Sequence, residues 1–265
     1  MREVLLGLVL AGVALTASAP GARAEGPSHE PRAGDPVEGA RIARRVGCDG
    51  CHGEGGTGNV FMEGPEMGRI VAPNLTQRRE LYTDDGLVAL LHEGKTHDGH
   101  APWGMPIQSF QHLSQREVRD LVAWLRALPA RENPALPEGQ WSEDLKRRTE
   151  DGTHPWLGDL KPTPGNVPPE APPVEPLALG RHLALTTCSE CHGWDLDGFG
   201  GPGAAPPLAI TKAYTDERFI RLMRTGEVMS GGNSATGLMS GVARYRFGVM
   251  TDEEILALKA YLDSR

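Results

Sequence analysis

Two pentapeptides, Cys48-Asp49-Gly50-Cys51-His52 and Cys188-Ser189-Glu190-Cys191-His192, use every cysteine of the 265-residue chain. Cys-x-x-Cys-His is the attachment signature of c-type haem. Each thiol adds to a haem vinyl group, and the histidine that follows sits beneath the iron as its proximal ligand. Other chemistries also use cysteine pairs. A zinc ribbon sets its pairs roughly 15–20 residues apart, whereas Cys51 and Cys188 are 137 positions apart. A redox dithiol needs no histidine after each pair. Disulfides remain open to an exported chain. The reading carried forward is two covalently attached haem c groups, each with its iron.

The elements around the two motifs repeat. Asp35-Pro36-Val37-Glu38 offers an N-cap, a proline at the first helical position and a glutamate two residues later. Val37, Ala40, Ala43 and Val46 then recur at helical spacing up to Cys48. Gly180, Leu183, Ala184 and Thr187 lead in the same way into Cys188. A Gly-rich loop follows each motif, then Ala72-Pro73-Asn74-Leu75 or Ala205-Pro206-Pro207-Leu208. Tyr82-Thr83-Asp84 and Tyr214-Thr215-Asp216 each open a short helix that Gly94 or Gly226 closes. Capping boxes at Ser114–Glu117 and Thr251–Glu254 begin the last helix of each unit.

Between the units, residues 129–176 hold 11 of the chain's 22 prolines. This composition favours an extended, semi-rigid strap. Trp141 and Trp156 argue against disorder there and predict that the strap is pinned to one or both units. Each unit alone has a thin apolar core for its size, and a buried porphyrin would supply the missing apolar volume. The expected layout is a leader over 1–24, an N-terminal domain over 25–128, a linker over 129–176 and a C-terminal domain over 177–265.

These residues resemble class I cytochrome c occurring twice, over roughly 37–128 and 177–263. The resemblance implies an all-α fold: two cytochrome c-like haem domains joined by a Pro-rich linker, each with its first and last helices crossing. It implies a small residue eight positions before the first cysteine, where Gly180 fits and the first unit has Ala40, with Gly39 one residue early. It implies that the carbonyls of Pro73 and Pro206 orient His52 and His192. It also implies a methionine as the sixth iron ligand, which raises the reduction potential. Met105, in Trp103-Gly104-Met105-Pro106, takes that place in the first unit, with His92, His97, His100 and His112 as rivals. Met239 is preferred in the second unit and Met229 held in reserve. Met250 reads as a hydrophobic staple and Met223 as core.

Arg2, the apolar run Val4–Leu15 and Ala22-Arg23-Ala24 read as a secretory signal cleaved after Ala24. The run is too short for a bilayer, which needs about 20 residues. No later stretch is long and apolar enough to span, so the expected mature product is soluble and periplasmic. The net charge of −8 argues against nucleic acid as a partner. The expected function is a periplasmic di-haem cytochrome c that carries single electrons between redox partner proteins, a donor and an acceptor, with no catalytic residue of its own. Two alternatives are a di-haem enzyme, peroxidase-like or thiosulfate dehydrogenase-like, and the haem subunit of a larger dehydrogenase or oxidase.

Overall fold

The computed structural model describes residues 33–100, 102–153, 162–199, 201 and 203–265. The leader expected over 1–24 and Trp156 of the strap lie outside the described residues. The first unit contains α1 (Pro36–Val46), α2 (Cys48–His52), β1 (Asn59–Gly64), β2 (Gly68–Ala72), α3 (Leu75–Arg78), α4 (Asp84–Glu93), α5 (Ile107–Phe110) and α6 (Gln115–Ala127). The strap contributes β3 (Gln140–Trp141) and α7 (Glu143–Glu150). The second unit contains α8 (Pro176–Leu183), α9 (Ser189–His192), α10 (Asp216–Thr225), α11 (Leu238–Arg246) and α12 (Asp252–Ser264). Helices dominate both units, in keeping with the all-α class.

Helix α1 begins as its residues dictate. The Asp35 carboxylate accepts from the N–H groups of Val37 and Glu38, and Pro36 occupies the first position. Its buried face differs from the expected one. Gly39, Ile42, Ala43 and Val46 point inward, whereas Val37 is 79% exposed and Ala40 is exposed. The crossing with α6 decides this. A Cβ on Gly39 would lie 1.9 Å from the Asp120 carbonyl oxygen and 2.7 Å from Trp124 Cβ. Gly180 meets α12 in the same manner, 2.1 Å from the Ala257 oxygen and 2.6 Å from Tyr261 Cβ. Gly39, not Ala40, is therefore the close-contact residue of the first unit. Both crossings have room only for hydrogen.

The two units reach their first cysteine differently. Helix α1 stops at Gly47, whose φ of 86° lets its N–H bond the carbonyls of Ala43 and Arg44. Thr187 stands at the matching place, and a β-branched residue is disfavoured in the left-handed region. There the chain widens into a π turn over Ala184–Cys188 and runs on into α9. The capping boxes form as read, Ser114 with Glu117 and Thr251 with Glu254. Thr83 and Thr215 cap α4 and α10, and Gly94 and Gly226 end them in left-handed geometry.

One element is not legible in the sequence. The loop after the first motif contains an antiparallel hairpin, β1 with β2, to which β3 of the strap adds a third strand. Gly68 pairs with Trp141 there, and a Cβ at Gly68 would lie 2.2 Å from the Gln140 carbonyl oxygen. The described parts of the strap are thus structured and fold onto the first unit. Ser142 caps α7 through the Leu145 N–H, and its own N–H donates to the Met67 carbonyl at 3.1 Å. Leu145 is fully buried. Further on, the carbonyls of Pro169 and Glu170 accept from the N–H groups of Gln115 and Arg116 at 2.8 and 3.0 Å.

A polar seam joins the two units. Arg41 makes two hydrogen bonds to Glu254, at 2.8 and 2.9 Å. Buried Arg45 donates to Glu117 at 2.6 Å, and Glu117 lies 2.9 Å from Nε2 of buried His182. Ser109 and Ser189 share a hydroxyl hydrogen bond of 3.0 Å. The Arg44 guanidinium stacks over the Tyr245 ring at 4.2 Å. Each unit keeps its own apolar cluster, with Cys48 packed against one and Cys188 within the other.

Candidate haem sites

Helix α2 turns Cys48, Cys51 and His52 onto one wall of a cavity of about 490 Å3. Leu87, Leu91, Phe110, Leu121, Val122 and Leu125 form much of the remainder, and Pro73 and Met105 line it as well. The His52 Nδ1 donates to the Pro73 carbonyl at 2.9 Å, which fixes the ring and leaves Nε2 as the basic nitrogen. Burial lowers the His52 pKa, and the bond to Pro73 opposes that shift. Burial thus favours the neutral imidazole, the form that binds a metal. In the second unit His192 Nδ1 donates to the Pro206 carbonyl at 2.8 Å, and burial likewise lowers its pKa.

The thiols discriminate between the cysteine chemistries. Burial pushes Cys48 and Cys188 up to about 12 and Cys51 up to about 11, and it raises Cys191 too. Dithiol redox chemistry needs an accessible thiolate, which this burial disfavours. A thioether is neutral, so its burial carries no charge penalty. No disulfide joins the four cysteines. Among the described residues no group of three or more His, Cys, Asp or Glu side chains converges as a metal site would require. A flat, largely apolar macrocycle tied through two neutral sulfurs fits this site.

The methionines divide by packing. Met105 and Cys48 pack against the same buried cluster, that of Ile42, Leu87 and Phe110, and Met239 packs against the cluster that holds Cys188, Leu183, Leu208 and Phe219. Met229 is 37% exposed, with its N–H donated to the Tyr214 hydroxyl at 2.8 Å. Met223 and Met250 are buried in the core. Of the rival histidines, His92 is buried with Nε2 bonded to the Leu113 carbonyl at 3.0 Å. His97 and His100 line the first cavity on either side of Asp98. His112 is absent from that lining and lies near Arg181 and His182.

Several residues at these sites escape sequence reasoning. Phe61, Ile70, Val71 and Trp141, from the three-stranded sheet, line the first cavity. Trp141 packs on Trp103 with ring centroids 5.3 Å apart. The strap tryptophan was a usable signal, although nothing local identifies its partner. Glu190, inside the second motif, also lines the first cavity, so the two attachment motifs face each other across the seam.

Comparison with known families agrees with this geometry. The family model described as Cytochrome c matches the chain twice, over residues 36–129 and 177–265. No curated protein matches the chain. The chain belongs to the cytochrome c family, with two such domains, a covalently bound haem c in each, and a chemistry of haem-based electron transfer.

Proposed function

We propose that the protein is an exported, periplasmic di-haem carrier that moves single electrons between a donor and an acceptor protein. In this reading the leader over 1–24 is removed, and domains over 25–128 and 177–265 are joined by the strap over 129–176. His52 and Met105 hold one iron and His192 and Met239 the other. Each haem supplies a one-electron couple whose potential follows its axial ligands, local charge and burial. The chain's residues orient and enclose. Pro73 and Pro206 fix the imidazoles through their carbonyls, and the apolar walls exclude water. No helix among the described residues is long and apolar enough to cross a membrane.

The observation that carries this reading is that His52, both first-motif cysteines and Met105 share one cavity. The Met105 thioether and the His52 imidazole would then both hold the iron, and the chain would offer a substrate no place on it. Optical and EPR spectra of the oxidised holoprotein test it, with both haems expected low-spin. Met105→Ala and Met239→Ala should each convert one haem to high-spin or to a replacement ligand and lower its potential. A high-spin parent, or Met239→Ala without spectral change, would refute the assignment. A catalytic reading has one observation in its favour, the His97, Asp98 and His100 group at the first cavity. Rapid cyanide binding by the oxidised parent would select it.

A further inference from the structure

Arg246, on α11, belongs to neither attachment motif but touches the surroundings of both. Its Nε donates to the Arg45 carbonyl at 3.0 Å, three residues before Cys48. Its Nη1 lies 3.0 Å from Glu190 Oε2, between Cys188 and Cys191. A Cβ on Gly47 would fall 2.8 Å from the Arg246 Cζ. Gly47 therefore serves two ends, since it terminates α1 and makes room for this guanidinium directly before Cys48. Arg246 is 9% exposed, so water screens its charge less than that of a surface arginine. Its carboxylate partner Glu190 also lines the first cavity, so the pair sits beside both attachment motifs.

We infer that Arg246 and Glu190 are a positioning ion pair shared by the two haem sites, which tunes both reduction potentials together. Adding an electron to a haem lowers its net charge by one. The guanidinium favours that step at each site and raises both potentials, while the carboxylate opposes it. Because each partner faces both motifs, a change in either moves the two couples in one direction.

This inference rests on the di-haem reading, so haem content and spin state are measured first on every variant. The test is a potentiometric titration of the mature holoprotein, followed optically at both haems. In Arg246→Gln the reduction equilibrium at each haem should fall about threefold to tenfold, tenfold being about 59 mV for one electron. Glu190→Gln should move both couples upward by a similar factor, and Arg246→Lys should stay within about twofold of the parent. A purely structural role would give no such opposition of sign. Two low-spin haems with unchanged potentials in Arg246→Gln would overturn the inference and leave the carrier reading intact. So would a Glu190→Gln shift in the same direction as that of Arg246→Gln. Should Arg246→Gln fail to mature, Glu190→Gln decides: an upward shift at both haems supports the pair, and no shift overturns it.

Discussion

Replacing Gly39 by alanine adds one methyl group at the tightest point of the first unit. That carbon would start 1.9 Å from the Asp120 carbonyl oxygen and 2.5 Å from its carbon, both backbone atoms of α6. An ordinary contact needs about 3.5 Å, and no side-chain rotation can provide it. Helices α1 and α6 must separate by roughly 1.5 Å. Overpacking of this kind costs about 1–3 kcal/mol and more where backbone must move. The gain in helix propensity from glycine to alanine returns about 1 kcal/mol. The net expectation is a loss of about 2 kcal/mol, which lowers the melting midpoint by roughly 4–8 °C for a body of 150–250 residues. Calorimetry of the holoprotein measures it, with haem content held equal. Ala40→Leu is the control, because Ala40 is exposed and should shift stability by less than about 0.5 kcal/mol. If Gly39→Ala melts at or above the parent, as an exposed helical glycine would, the close crossing at Gly39 is wrong.

The seam yields two further predictions. Glu117→Ala takes the hydrogen-bonded carboxylate from buried Arg45 and leaves it only the longer 3.6 Å contact with Glu254; it should cost about 3 kcal/mol, the low end for a broken buried pair, read from denaturant unfolding. Burial alone would raise the Glu117 pKa, but the bond from His182 and the charge of Arg45 outweigh it and hold the carboxyl below its usual range. Its contribution is thus present above the unfolded value of about 4.3 and is lost as pH falls toward the lower folded value. Glu117→Gln should flatten the acid limb of stability against pH, and an unchanged slope would exclude Glu117 as the source. Trp141→Ala removes the ring packed on Trp103 and one wall of the first cavity. Chemical reductants and small ligands should reach the first haem faster and the second at the parental rate, as stopped-flow spectra would show.

What the chain reveals by inspection is what lies close together along it. The cysteine–histidine motifs, both capping boxes, the terminating Gly94 and Gly226, and Pro73 and Pro206 all act within a few residues or through a repeated pattern. The errors and omissions come from contacts made at long range. Apolar periodicity selected Val37 and Ala40, because it scores side-chain hydrophobicity and is blind to a glycine whose value lies in having no side chain. The pairing of Gly68 with Trp141 joins segments that carry no mutual signal. Glu117 is legible as a capping residue, but its burial and its bonds to Arg45 and His182 across the seam have no local signal. Met239 could be ranked above Met229 by offset alone, but its packing with the Cys188 cluster is a tertiary fact.

The third strand of the small sheet has a bearing on where the first domain ends. Gln140 and Trp141 follow the whole first unit in the chain, yet they complete its sheet, and Trp141 supplies part of the wall of its haem site. The strap is therefore more than a spacer between two self-sufficient bodies: a chain cut before Gln140 would keep Cys48, Cys51, His52 and Met105 and still lack that side of the enclosure.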